Sequence, residues 1–143
     1  MTLEKKRWQY RFDNFSRAYS LLREAAERSK AGELDQLAKE GMIRRFGLCV
    51  ELAWKTMKDY LESQNVIFTQ ITPRAVLKES VQAKLVSDGG DWMDALDARN
   101  KMSHTYDFRK FEVVIEDIQT RYLDRFGELY EKLAEANIRP END

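Results

Sequence analysis

Trp8, Phe12, Phe15, Tyr19, Leu22 and Ala26 recur at intervals of 4, 3, 4, 3 and 4 residues. That rhythm lays one apolar stripe along a helix from about residue 8 to residue 30. Arg11, Asp13, Arg17, Arg23 and Glu24 fall off the stripe, and Ala31-Gly32 is a stop signal. A second helix is predicted from Glu33–Asp35 to about Gln64. Its stripe runs through Leu34, Leu37 or Ala38, Met42, Phe46, Cys49 or Val50, Ala53, Met57, Tyr60 and Leu61. Gly41 and Gly47 interrupt it, each costing about 1 kcal/mol relative to alanine, and they mark either close packing or a bend near Gly41.

Asn65–Ile71 is the one β-prone stretch; with no partner in sight it reads as an extended connector. Thr72-Pro73 is a cap followed by proline at the first helical position, opening a short helix to about Val86. Ser87-Asp88-Gly89-Gly90 breaks the chain, and Asp91 is expected to cap a helix from Trp92 to about Ser103. After a turn at Asp107–Lys110, a last helix is predicted over about residues 110 to 136. Its stripe is Phe111, Ile115, Ile118, Tyr122, Phe126, Leu129 and Leu133, spaced 4, 3, 4, 4, 3, 4. Three long helices and a broken fourth segment predict an all-α fold: an antiparallel up-and-down four-helix bundle with a short extra helix. One domain spans residues 1–143, with its core at about 8–136 and a polar, frayed tail at 137–143.

Composition agrees with that picture. Hydrophobic residues make up 43% and charged residues 34% of 143 residues, with only 6 Gly and 2 Pro, a balance that favours helices. The net charge of −1 gives no global field toward nucleic acid or an anionic membrane, so any RNA contact must be local. The single cysteine, Cys49, reads as a small core residue in a reduced setting, and a cytoplasmic location is expected. Neither a leader pattern at the N-terminus nor a membrane-spanning apolar run is present in these residues. The apolar stripes carry many aromatics, which makes a homodimer an expectation.

The chemistry is concentrated in Arg99-Asn100-Lys101-Met102-Ser103-His104-Thr105-Tyr106, which holds the only histidine. His104 has two readings. One is a capping residue at the end of its helix, binding free carbonyls. The other is a proton carrier for metal-free RNA cleavage, with an arginine fork stabilising charge on the phosphate. No metal site is expected, because no second His, Cys pair or His-Glu pattern accompanies it, and no cofactor is called for. Ser103 and His104, adjacent on a helix, point about 100° apart, which argues against a Ser-His-Asp relay with Asp107. Arg99 and His104 lie about 140° apart on a helix, yet the length of arginine lets them flank one groove. Glu51 also has two readings: a solvated residue paired with Lys55 at i+4, or a carboxylate turned into a polar pocket. Over residues 91 to 110, Asp91, Asp94, Asp97 and Asp107 balance Arg99, Lys101, Arg109 and Lys110, so no basic stripe marks an RNA-binding surface.

At these residues the chain resembles the HEPN domain family, and within it the nucleotidyltransferase substrate-binding protein subgroup. The family motif of Arg, four residues, His, any residue, Tyr is matched at Arg99, His104 and Tyr106. The subgroup wording extends the match to Asn100, Ser103, Thr105 and Asp107. It also covers Arg45-Phe46, Glu51-Leu52-Ala53-Trp54-Lys55 and Lys58-Asp59-Tyr60-Leu61 on the second helix. The resemblance spans about residues 8 to 135. It implies a dimerising helical bundle and a minimal nucleotidyltransferase encoded nearby as partner. Related pairs are toxin–antitoxin systems in which the HEPN member is a metal-independent endoribonuclease, silenced by AMP transfer to the motif tyrosine, here Tyr106. On that reading Arg99 and His104 are catalytic, with Asn100 and Glu51 supporting. The subgroup name implies the alternative, a non-catalytic subunit that presents substrate to the transferase.

Overall fold

The computed structural model describes residues 4–138. Helix α1 spans Arg7–Lys30, α2 Gln36–Ser63, α3 Pro73–Gln82 and α4 Gly89–Met102. The last rod is α5 (Phe108–Asp117), a π-helical turn (Ile118–Tyr122) and α6 (Leu123–Ile138) in unbroken succession. No strand occurs among the described residues, and 65–71 is an extended connector. The fold is the all-helical bundle that the stripes predict: α1, α2 and the last rod are its long members, and α3 with α4 make the broken fourth.

Local signals set the ends. Gly32, at φ +73°, closes α1 in the left-handed conformation, where its N–H reaches Ser29 O at 3.0 Å and that of Glu33 reaches Arg28 O at 3.0 Å. Asp35 Oδ1 accepts from Ala38 N at 2.8 Å to start α2, and Thr72 Oγ1 accepts from Ala75 N at 3.2 Å to start α3.

Four boundaries differ from expectation. Helix α3 ends at Gln82 rather than Val86, because Lys84 turns left-handed (φ +61°) and lets Leu85 N bond back to Ser80 O at 2.9 Å. Leu85 and Val86 are buried all the same. Helix α4 starts at Gly89 behind Asp88, so Asp91 lies in its first turn and does not cap it. Asp107, not residue 110, opens the last rod: its carboxylate accepts from Arg109 N at 3.0 Å. That rod runs on through Asn137 and Ile138, and Gln9 Nε2 donates to Asn137 Oδ1 at 3.0 Å. The remainder of the expected tail lies outside the described residues.

The π turn explains the consecutive fours in the last stripe. On a regular α-helix Ile118 and Phe126 would sit about 80° apart. One extra residue in the turn restores the register, and Ile118, Tyr122 and Phe126 are all buried. They meet Phe15, Phe46 and Trp92 in the core: Phe46 stacks on Tyr122 with centroids 5.4 Å apart, and Trp92 meets Phe126 edge-on at 5.4 Å. Much of the aromatic content is thus packed within one chain. Cys49 is buried there, and burial pushes its thiol well above the usual range. Helix α2 runs through Gly41 without a break. No helix among the described residues is long and apolar enough to cross a membrane.

Candidate functional site

The motif occupies the last turn of α4 and the loop 103–107 that leads into α5. Two hydroxyls close the helix end. Ser103 Oγ donates to Arg99 O at 3.1 Å and Thr105 Oγ1 donates to Lys101 O at 2.8 Å. Backbone N–H groups of Ser103 and His104 reach the same two carbonyls, each at 3.2 Å. Capping is therefore done by the two flanking hydroxyls and by backbone N–H groups, and the imidazole takes no part in it. The His104 imidazole is exposed and makes no hydrogen bond or ion pair among the described residues. Asp107 caps α5, which removes it from any relay with Ser103 and His104.

Arg99 is the opposite case. It crosses the seam between α4 and α2 and passes over Gly47, where an added Cβ would lie in ordinary contact at 3.7 Å from Arg99 Cγ. Its Nη2 donates to Glu51 Oε2 in a close ion pair, and its Nη1 donates to Asn100 Oδ1 at 3.0 Å. Lys55 Nζ holds the other oxygen of Glu51 at 3.0 Å, and Trp54 Nε1 donates to Oε2 at 3.2 Å. Both readings of Glu51 hold together: it pairs with Lys55 along its own helix and also faces Arg99 across the cleft. Partial burial works to raise its carboxyl pKa; hydrogen bonds from Lys55 and Trp54 and the charge of Arg99 outweigh it, so the net shift is downward.

Arg99 and His104 do not share a groove within one chain, which corrects the expectation that they flank one. Arg99 opens on a cleft of about 910 Å³ between α2 and the α4 exit, together with Arg44, Glu51 and Tyr106. His104 opens on a second cleft of about 720 Å³ between α4 and the last rod. Met102 and Thr105 line both and form the ridge between them. The cause is the angular offset of residues five apart, which the chain exit at Ser103 does not undo. Tyr106, at 97% exposure, stands on the Arg99 side with its phenol in solvent.

The aspartates near the motif are engaged by cations from other elements. Asp91 accepts from Arg121 Nη2 at 2.8 Å, Asp94 pairs closely with the same guanidinium, and Asp97 pairs with Arg74. Those hydrogen bonds raise the pKa of Arg121 further, so it is a fixed cation. Among the described residues Arg44, Lys101 and Lys110 have no ion pair. The balanced charge count of residues 91–110 thus conceals unpaired cations around the motif. Sequence reasoning missed Arg44 and the seating of Arg99 beside Gly47. Arg44 falls off the apolar stripe of α2, and only the fold brings that face to α4.

Comparison with known proteins places the chain in a described family. Residues 10–135 match the family described as "Nucleotidyltransferase substrate binding protein like". A Haemophilus influenzae protein named "Probable ribonuclease HepT" is 31% identical over 100 residues, 68% of each chain. A solved Haemophilus influenzae structure, described as the fold of a substrate binding domain of a nucleotidyltransferase, superposes with a TM-score of 0.73 at 27% identity. It covers 86% of this chain and 98% of its own. A Thermus thermophilus structure shares the fold with a TM-score of 0.66 at 21% identity, over 87% and 99% of the two chains.

Proposed function

The chain belongs to the nucleotidyltransferase substrate binding protein-like family, and from that premise we propose that it is a metal-independent endoribonuclease. In this reading it is the toxin of a toxin–antitoxin pair, its partner is a minimal nucleotidyltransferase encoded nearby, and AMP transfer to Tyr106 silences it. The observation that carries the reading is the free imidazole of His104 at a helix end whose carbonyls other groups already satisfy. A side chain with no structural duty, five residues from an arginine, suits proton transfer beside a phosphate. The relative named a probable ribonuclease supports the same reaction class.

In the proposed step a phosphodiester lies over the Met102–Thr105 ridge. His104 takes the proton of the 2′-hydroxyl. The 2′-oxygen bonds to phosphorus, the bond from phosphorus to the 5′-oxygen breaks, and the imidazolium returns the proton to that leaving oxygen. The products are a 2′,3′-cyclic phosphate and a free 5′-hydroxyl. Arg99 stabilises the charge on the non-bridging oxygens, and Arg44 and Lys101 add attraction for flanking phosphates. Glu51 and Asn100 are positioning residues that hold the guanidinium. Two copies related by a two-fold axis beside the motif would bring two such ridges together. A homodimer with a composite site is therefore part of the proposal.

The second reading is a non-catalytic subunit that presents substrate to the transferase. It is favoured by the engagement of Arg99 with Glu51, which occupies the cation a phosphate would need. Expression of the chain alone separates the two, beside in vitro cleavage of total RNA. The nuclease reading expects growth arrest and cleavage that His104→Ala and Arg99→Ala each reduce by roughly 10²-fold or more, with unchanged helical circular dichroism and no effect of EDTA. No arrest and no cleavage by the wild type selects the substrate-presenting subunit.

A further inference from the structure

The cleft on the His104 side is large enough for a small molecule, and the proposed reaction uses only its edge. It holds about 720 Å³, within the range of pockets that enclose a nucleoside-sized ligand. Met102, Val113 and Val114 are among its apolar lining side chains. Lys110, His104 and Asp117 also line it. Tyr122 lines it too; burial pushes its phenol up to about 12, so it stays protonated and able to donate.

The carboxylates here are not equivalent. Asp94 is tightly paired to Arg121 and Asp97 to Arg74. Asp117 meets Arg121 only at 3.9 Å, and its carboxylate is one-third exposed. It is the acceptor left open to a ligand. A carboxylate whose Oδ2 has no partner among the described residues, and whose Oδ1 meets Arg121 only at 3.9 Å, can accept from a planar ring that presents two adjacent N–H donors. Among the RNA bases guanine does so, through its ring N1–H and exocyclic amine. Adenine and cytosine offer an amine alone, and uracil offers a single ring N–H.

Which nucleotide enters follows from the chemistry. The imidazole that removes the 2′-hydroxyl proton must lie beside the ribose carrying that hydroxyl. The base on the same ribose then falls on the imidazole's side of the ridge, in this cleft, while the phosphate reaches toward Arg99.

From this juxtaposition of His104, apolar lining side chains and the Asp117 carboxylate, we propose that the cleft is a base-binding subsite for the nucleotide 5′ to the scissile bond, with a preference for guanine. The proposal rests on the nuclease reading for its orientation. Its binding prediction is measured without cleavage.

The test titrates the four nucleoside 3′-monophosphates separately onto the full-length chain and follows backbone amide shifts by NMR. Guanosine 3′-monophosphate is expected to move the amides of Val113 and Val114 and to bind about tenfold or more tightly than the uridine and adenosine compounds. Asp117→Asn should erase the preference, and Val113→Arg, a change at a surface position 62% exposed, should fill the cleft and abolish binding. Equal affinity for all four, or shifts confined to other surfaces, overturns the subsite. A chain that binds guanosine 3′-monophosphate in this way but cuts no RNA keeps the subsite and rejects the nuclease. A chain that cuts through His104 with no guanine preference, unchanged by Asp117→Asn, keeps the nuclease and rejects the subsite.

Discussion

Glu51 and Arg99, forty-eight positions apart in the chain, close on each other across the seam of α2 and α4. The pair ties the motif to α2, one of the long helices of the bundle. Neither group is deeply buried; the two side chains are 27% and 28% exposed. A pair with this much access to water contributes modestly to stability and more to direction: it sets where the guanidinium points and which of its N–H groups remain free.

That relationship predicts an acid-sensitive contribution from Glu51. Its folded pKa is depressed below the unfolded value of 4.5. The stabilisation is therefore fully present above about pH 4.5 and is lost as pH falls through the lower folded value. Glu51→Gln lacks the ionising group, so the stability difference between wild type and variant should be constant near neutrality and shrink below pH 4.5. Urea denaturation at several pH values measures it. A difference that persists unchanged at pH 3 would show that the pair does not depress this carboxyl.

The helix periodicities were legible in the sequence because each long helix buries one stripe, and the motif was legible because it is a contiguous run. The rest depended on distant chain segments. Nothing local pairs Glu51 with Arg99, and Lys55 at i+4 is the partner that spacing alone supplies. The cleft on which a side chain opens depends on how α4 sits between α2 and the last rod, so Arg99 and His104 part company only in the fold. The π turn was half legible: the double interval of four at Ile118, Tyr122 and Phe126 breaks the alternation that α1 keeps. Asp91 looked like a cap because it precedes Trp92, whereas Gly89 and Gly90 allow the helix to begin earlier, behind a left-handed Asp88.

Two glycines make a paired prediction about packing. Gly41 lies within α2 with open space where a Cβ would stand. Gly41→Ala should stabilise the chain by about 0.5–1 kcal/mol through helix propensity. On α6, a Cβ at Gly127 would stand 2.7 Å from the Tyr19 hydroxyl. Gly127→Ala must therefore displace a ring that packs against Phe15 and Tyr130, and its propensity gain should be cancelled or reversed. Thermal unfolding of the two variants should move the midpoint up for the first and leave it level or lower for the second.

Asp59 predicts the larger loss. Its carboxylate is 1% exposed and accepts from Arg11 Nε at 2.7 Å, with Lys58 at 3.2 Å and Arg7 at 3.5 Å. Removing one member of a buried ion cluster leaves the others uncompensated, an effect of about 3–5 kcal/mol when all are enclosed. Arg11 retains some access to water at 31% exposure, so Asp59→Ala should cost about 2–3 kcal/mol. Because the cluster joins α1 to the C-terminal half of α2, the loss should appear in global stability by denaturation, with no change in the chemical shifts of Arg99 or His104.

Tyr106 carries the regulatory half of the proposed function. Its phenol is almost wholly in solvent, on a loop whose two ends are fixed by the Thr105 hydroxyl and the Asp107 cap. A transferase can reach it without unfolding anything. It lines the same cleft as Arg99 and Arg44, so an added AMP would bring a phosphodiester into a site with two cations. The expected effect is competition: the phosphate draws Arg99 from Glu51 and occupies the place of an RNA phosphate. The rival account is that Tyr106 only packs beside Arg99, and its exposure weighs against that. Incubation with the proposed nucleotidyltransferase partner, ATP and a divalent ion, followed by mass spectrometry, should show a gain of AMP units on the peptide containing Tyr106. The gain should be absent in Tyr106→Phe, and RNA cleavage should fall as the modified fraction rises. A mass gain that persists in Tyr106→Phe places the acceptor elsewhere, and no gain at all favours the substrate-presenting subunit.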